Sequence, residues 1–181
     1  SFDHVVVEGN SAAANADNIV YDMMAAFYTA CTSFIAQNLG ARKRDRIRKA
    51  YLVTQMYSFI IGAVLGALLV VFRTQFLSLF TSDPDVLHYG TMFILMMVPF
   101  RFCTAFIQIL AGSLRGSGDA KGPMCIMLFS FVLCRQIYLF FVTKIAFNEF
   151  TVGLGYPVGW VVCTILIILY YRKSKWEEKV E

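Results

Sequence analysis

Apolar residues along this chain fall in long blocks, not in alternation. Five runs stand out: 11–38, 51–72, 88–114, 123–147 and 151–171. A helix needs about 20 mostly apolar residues to cross the hydrocarbon of a bilayer, and every run reaches that length. Backbone polar groups in lipid must pair internally, which leaves helices or closed barrels. The even alternation of a barrel strand is absent. The pattern therefore predicts an all-α membrane protein of five transmembrane helices.

Inside the runs the polar residues line up. A helix advances about 100° per residue, so separations of three, four and seven share a face. On that rule Asn15, Asn18, Asp22, Thr29, Ser33 and Gln37 form one stripe on the first span, opposite Ile19, Met23, Met24, Phe27 and Ile35. The third span carries a second stripe: Arg101, Thr104, Gln108, Gly112 and Arg115. The fourth has Arg135 near its middle with Tyr138 beside it. An ionisable side chain at mid-span costs about 2.5–3.5 kcal/mol on insertion scales, so such stripes are expected to turn inward. Two arrangements satisfy that expectation. Asp22 pairs with Arg101 or Arg135 and fixes helix register, or Asp22 faces a water-accessible cavity as a switchable carboxylate. In the second arrangement Asn15, Asn18, Thr29, Arg101, Thr104, Gln108, Arg135 and Tyr138 line the path with it. Tyr21, Tyr28 and Tyr138 are candidates for an aromatic wall that takes a flat cation.

Glycine and proline refine the picture. Gly62 and Gly66, Gly112 and Gly116, and Gly155 and Gly159 are spaced for close helix contact. Pro99 lies inside the third span, removes a donor and frees the carbonyl of Leu95 beside the polar stripe. Pro84, in TSDPD, reads as a turn outside the membrane.

Charge supplies the orientation. Of 181 residues, 58% are hydrophobic and 15% charged, with a net charge of +4; soluble domains average nearer a quarter charged. Arg42, Lys43, Arg44, Arg46, Arg48 and Lys49 follow the first span, Arg115 and Lys121 the third, and Arg172, Lys173, Lys175 and Lys179 the fifth. The opposite loops hold only Arg73 and Lys144. By the positive-inside rule the first group is cytoplasmic, the C-terminus included, and residue 1 lies outside. Five spans in that orientation lead us to expect at least one further span before Ser1. Residues 11–171 are then the five-span bundle and 172–181 a cytoplasmic tail.

The run RKRDRIRK at 42–49 would pass elsewhere as a nucleic-acid patch. Apolar spans bracket it, so it reads as a topology anchor that touches anionic headgroups, with no nucleic-acid partner. The five cysteines, Cys31, Cys103, Cys125, Cys134 and Cys163, all fall inside spans without a CxxC pair and read as packing residues. His4 and His88 form no metal or catalytic set. No GxSxG, HExxH or phosphate-cradling glycine loop occurs, so no enzyme chemistry, cofactor or metal is expected.

Several stretches carry a family likeness. SFIAQNLGARKRDRIRKA resembles the motif that closes the second helix of each half in the MATE family of multidrug and toxin extrusion transporters. QFLSLFTSDPDV resembles the connection after the next helix, and AGSLRGSGDAKGPM the loop between the tenth and eleventh. FVLCRQIYLFF and YYRKSKW are similar to a bacterial branch. The likeness implies helices eight to twelve of a twelve-helix transporter, which is most of its C-terminal six-helix bundle. It implies too that residues 1–10 are the outer end of a preceding helix and its loop. Gln37, Asn38, Gly40 and Ala41 then belong to the first motif, and Gly112, Leu114, Arg115, Gly116, Gly118 and Pro123 to the loop. It also implies a multi-pass plasma-membrane protein, expected in a bacterial inner membrane, that expels organic cations or drugs in exchange for sodium or protons. Its partners would be the lipid bilayer and the missing helices one to seven, and the 181-residue chain alone would be inactive. Some sodium-coupled members place an acidic residue where this chain has Thr104, and another coupling glutamate of the family lies on helix seven. No coupling residue is thus inherited, and Asp22 remains a candidate from its own position. The competing expectations are a flippase of lipid-linked sugars from the same superfamily, favoured by a wide cavity rich in Arg and Lys, and a non-transporting scaffold whose polar stripes pair off completely.

Overall fold

The structure, a computed structural model, describes residues 4–145 and 148–174. The expected head at 1–10, span end at 147 and tail at 172–181 thus fall partly outside the described residues, at 1–3, 146–147 and 175–181. Every regular element among the described residues is helical. They are α1 (His4–Gly40), α2 (Arg44–Val71), α3 (Arg73–Leu77), α4 (Pro84–Met97), α5 (Arg101–Gly116), α6 (Lys121–Leu128), α7 (Arg135–Ile145), α8 (Glu149–Gly153) and α9 (Gly155–Lys173). Five segments are long and apolar enough to cross a membrane: His4–Gly40, Asp45–Val71, Pro84–Gly116, Lys121–Val142 and Thr151–Lys173.

The first span is longer than its apolar run. α1 holds 37 residues, about 55 Å at 1.5 Å per residue, against roughly 30 Å of hydrocarbon. Residues 4–10 are its first two turns, where the outer end of a preceding helix and its loop were expected. α1 ends in a Schellman motif: the Lys43 N–H donates to the Asn38 carbonyl (2.9 Å) and the Arg42 N–H to that of Leu39 (3.0 Å). Arg42 takes the left-handed position, at φ 53°. The same closure ends α5. There the Asp119 N–H donates to Leu114 (2.9 Å), the Gly118 N–H to Arg115 (3.0 Å), and Gly118 sits at φ 90°. Both family-motif loops are therefore chain reversals of one kind. In the second, the Asp119 carboxylate also accepts from the Gly122 N–H (3.1 Å) and the Tyr170 hydroxyl (2.6 Å), which ties the loop to the end of α9. Pro123 is buried in the first turn of α6.

Pro84 is a helix start, not a turn. Asp83 accepts from the Asp85 N–H at 2.9 Å and Pro84 takes the first turn, where its missing donor costs nothing. Pro99 breaks the third span as expected: α4 ends at Met97, Val98–Phe100 is a 3₁₀ turn, and α5 begins at Arg101. The fourth span contains a break that its sequence does not announce, a π-helical stretch at Phe129–Cys134 immediately before Arg135. Both mid-span arginines thus follow directly on a departure from α-helical winding.

The core has two parts. Toward the start of α1, Ala13, Ala16 and Val20 pack with Phe93, Ile94 and Met97 of α4. Toward its end, Cys31 and Ile35 pack with Ile107, Leu110 and Leu114 of α5 and with Cys163 and Ile167 of α9. α2 buries the row Gln55, Ser58, Gly62, Gly66 and Leu69 and leaves Leu52, Met56, Ile60, Val64 and Leu68 exposed. That opposite row is the one expected to face acyl chains.

Candidate functional site

α1 and α5 run side by side in the same direction. Their side-chain contacts keep a nearly constant sequence offset: Asp17 to Arg101 (84 residues), Tyr21 to Gln108 (87) and Cys31 to Ser113 (82). The close approach that allows this comes from two glycines. A Cβ on Gly116 would lie 2.7 Å from the Thr32 carbonyl oxygen, and one on Gly112 would lie 2.7 Å from Thr32 Oγ1. The other glycine pairs meet their neighbours less closely; Gly66 and Gly155 have nearest side-chain atoms at 3.5 Å.

Arg101 is the most deeply buried charge among the described residues, 4% exposed. Its Nη2 forms an ion pair with the Asp17 carboxylate and donates to the Asp17 backbone carbonyl at 2.7 Å. The Thr104 hydroxyl, also buried, donates to the Arg101 carbonyl at 2.8 Å. Gln108 donates through Nε2 to the Tyr21 hydroxyl, and Arg115 reaches the Met127 sulfur at 3.6 Å. The α5 stripe is therefore largely paired, Arg101 and Gln108 against α1, Thr104 within α5 and Arg115 against α6.

The partner of Arg101 is not the residue expected. Asp22 lies five residues beyond Asp17, about 140° round the helix, and is exposed, with no ion pair among the described residues. Arg135 does not reach Asp22 either; its guanidinium lies over the Tyr156 ring, 3.9 Å from the centroid. Tyr138 donates to the Thr151 carbonyl at 2.8 Å. The expected Asp22–arginine pair is thus replaced by Asp17–Arg101 and Arg135–Tyr156.

Around the Asp17–Arg101 pair is an open recess of about 220 Å³ between α1, α5 and α9. Asn18 and Tyr21 form its α1 wall, Met97 and Thr104 belong to the broken span, and Tyr156 and Trp160 come from α9. Sequence reasoning missed Asp17, Tyr156 and Trp160. Asp17 could have been found by setting α1 and α5 in register through their small residues, which places it level with Arg101. Nothing in the apolar run of α9 marks Tyr156.

The α1 stripe itself takes a different direction. Asn15, Asn18, Asp22, Thr29, Ser33 and Gln37 are all exposed. The buried face of α1 is the one carrying Ala13, Ala16, Val20, Met24, Cys31 and Ile35. The stripe was expected to turn into this bundle, and it points out of it. The apolar faces of α1 claim the contacts with α2, α4 and α5 because they bury more hydrocarbon. Asn38, at the motif, is buried and donates to the Phe34 carbonyl at 2.8 Å. Gly40 meets nothing within 4 Å.

The MatE family profile matches residues 2–141. The chain belongs to the MatE family. Among curated relatives it is 29% identical to the probable multidrug resistance protein YoeA of Bacillus subtilis, over 83% of this chain and 32% of that protein. It is 22% identical to the probable multidrug resistance protein NorM of Thermotoga maritima, over 94% of this chain and 37% of that one. The MatE chain thus spans about a third of the length of these relatives. Among solved structures, that of the eukaryotic MATE transporter AtDTX14 superimposes with a TM-score of 0.84 at 21% identity, over 97% of this chain and 40% of that one. The all-α, five-span arrangement is therefore a MATE transporter fold.

Proposed function

We propose that this chain forms most of the C-terminal half of a secondary transporter that exports organic cations or drugs against inward sodium or protons. In this reading the exposed α1 stripe and the recess beside Asp17–Arg101 line the transport path. The observation that carries it is the outward-facing stripe. A helix that crosses a membrane cannot present asparagines, an aspartate and a glutamine to acyl chains without several kcal/mol of cost. The stripe must instead face water or more protein. The relatives hold further length beyond the third this chain spans, and the other half of such a transporter would cover the stripe across an aqueous cavity.

Residue roles follow from surroundings. Asp17 and Arg101 neutralise each other and hold α1 to α5. Asp22 is free of such a partner and faces the proposed cavity, so it is the carboxylate whose charge an arriving cation or proton would change. Substrate and coupling ion then compete for one side of α1, with Tyr21, Tyr156 and Trp160 supplying ring faces for a flat cation. Both arginines are already engaged, which supports a cation path over one built for polyanionic lipid-linked sugars.

In the full-length protein, Asp22→Asn is expected to abolish cation efflux while membrane expression stays normal. Undiminished resistance to toxic cations in cells carrying that substitution would remove Asp22 from the mechanism.

A further inference from the structure

A second recess, of about 400 Å³, lies between α1 and α2 beside the later part of the basic run. Arg46 and Lys49 stand at one end, and Ala50 and Val53 of α2 with Ala30 and Phe34 of α1 form its apolar length. From Arg46 to Val53 is about 10 Å along the helix, the depth from a headgroup layer into the upper acyl chains. Phe34 and Val53 are 45% and 48% exposed. The groove therefore opens outward, onto the same exposed apolar side of α2 as Leu52 and Met56. Phe34 lies about 120° and Ala30 about 80° round α1 from Asp22, so this groove borders the polar stripe on one side.

Its charge is unmatched. Neither Arg46 nor Lys49 has an ion-pair partner among the described residues. Asp45, in the same turn, does not line the groove. The first turn of α2 adds to the positive end, because its cap residue Lys43 makes no side-chain hydrogen bond to the free N–H groups. The ring of Tyr51 stacks on Tyr171 at 5.4 Å between centroids, which brings Arg172 and Lys173 of α9 to the same end of the bundle.

We propose that this groove binds one anionic glycerophospholipid. The phosphate sits between Arg46 and Lys49 at the start of α2, and an acyl chain lies along Ala30, Phe34, Ala50 and Val53. A free phosphate would leave the apolar length unfilled, and an organic cation would meet two like charges at the entrance. A basic pocket between helices at the level of the headgroups matches an anionic lipid in both charge and shape.

The test uses the full-length protein in detergent, offered equal amounts of phosphatidylglycerol and phosphatidylcholine with identical acyl chains, and native mass spectrometry to count bound lipid. One phosphatidylglycerol is expected to be retained in preference. Arg46→Gln with Lys49→Gln should lower that preference roughly thirtyfold, since each basic residue near a headgroup contributes about fivefold. Val53→Trp fills the groove from a half-exposed position and should expel the lipid with both charges in place. Lys43→Gln with Arg48→Gln, exposed neighbours outside the groove, should leave the preference within about twofold. An equal loss in that control pair would mean diffuse surface attraction and overturn the site. Undiminished retention in Val53→Trp would do the same.

Discussion

A guanidinium at mid-span is stable when an opposite charge and hydrogen bonds surround it, and Arg101 has both in Asp17. Removing one member of such a buried pair leaves the other uncompensated, at a cost of about 3–5 kcal/mol, whereas replacing both with apolar groups of similar volume is often neutral. Asp17→Leu and Arg101→Met alone should each lower the thermal midpoint of the full-length protein in detergent. The double substitution should recover most of the loss, and additive losses would show that the two side chains do not act as a pair. Asp22→Asn should behave differently: stability unchanged, transport gone. Which aspartate plays which part was only half visible in the sequence. Asp22 announced itself by sharing a stripe with Asn15, Asn18 and Thr29. Asp17 falls on the opposite face, in line with buried Met24 and Ile35 at separations of seven and eighteen residues, so a search along the polar stripe passes it by. Its role depends on the register between two helices 84 residues apart, a tertiary property.

At the level of elements, the parallel contact of α1 with α5 positions the site, and Gly112 and Gly116 set its distance. Gly116→Val places a methyl group against the Thr32 backbone, which lies 2.7 Å from where the Cβ would be. The helices must part, with an expected loss of about 1–3 kcal/mol. Gly40→Ala meets open space and should leave the thermal midpoint unchanged, although both glycines belong to family-motif loops. An equal effect of the two substitutions would contradict a packing role for Gly116. The spans were legible because length and hydropathy are local properties, and so was the break at Pro99, which follows from a missing N–H. The π-helical stretch before Arg135 was not legible. FSFVLC contains neither proline nor glycine; Gly159 of α9 lies close to its backbone, 3.4 Å from the Ser130 carbonyl oxygen for an added Cβ. The start of α1 was not legible from the apolar run, which begins at residue 11: residues 4–10 were expected to hold the outer end of a preceding helix and its loop, and they continue α1 instead.

For the molecule as a whole, α1 carries three kinds of surface. Ala13, Ala16, Val20 and Ile35 face the bundle; Ile19, Met23 and Phe34 are exposed and apolar; Asn18, Asp22 and Ser33 are exposed and polar. Periodicity gave the membership of the polar face but not its direction, because direction depends on what lies on the far side. In the proposed reading that far side lies outside the residues described, and the chain spans about a third of the length of its curated relatives. The account stands on the polar face meeting water in the assembled transporter. The direct measurement is cysteine labelling in the full-length protein, in a background with every native cysteine replaced, the five of this chain included. Asn18→Cys, Asp22→Cys, Thr29→Cys and Ser33→Cys are compared with Ile19→Cys, Met23→Cys and Phe34→Cys, using a membrane-impermeant thiol reagent on sealed vesicles of both orientations. The account predicts reaction at the first four positions, slowed by a transported cation, and none at the last three. Equal protection of both sets from both sides of the membrane would contradict it.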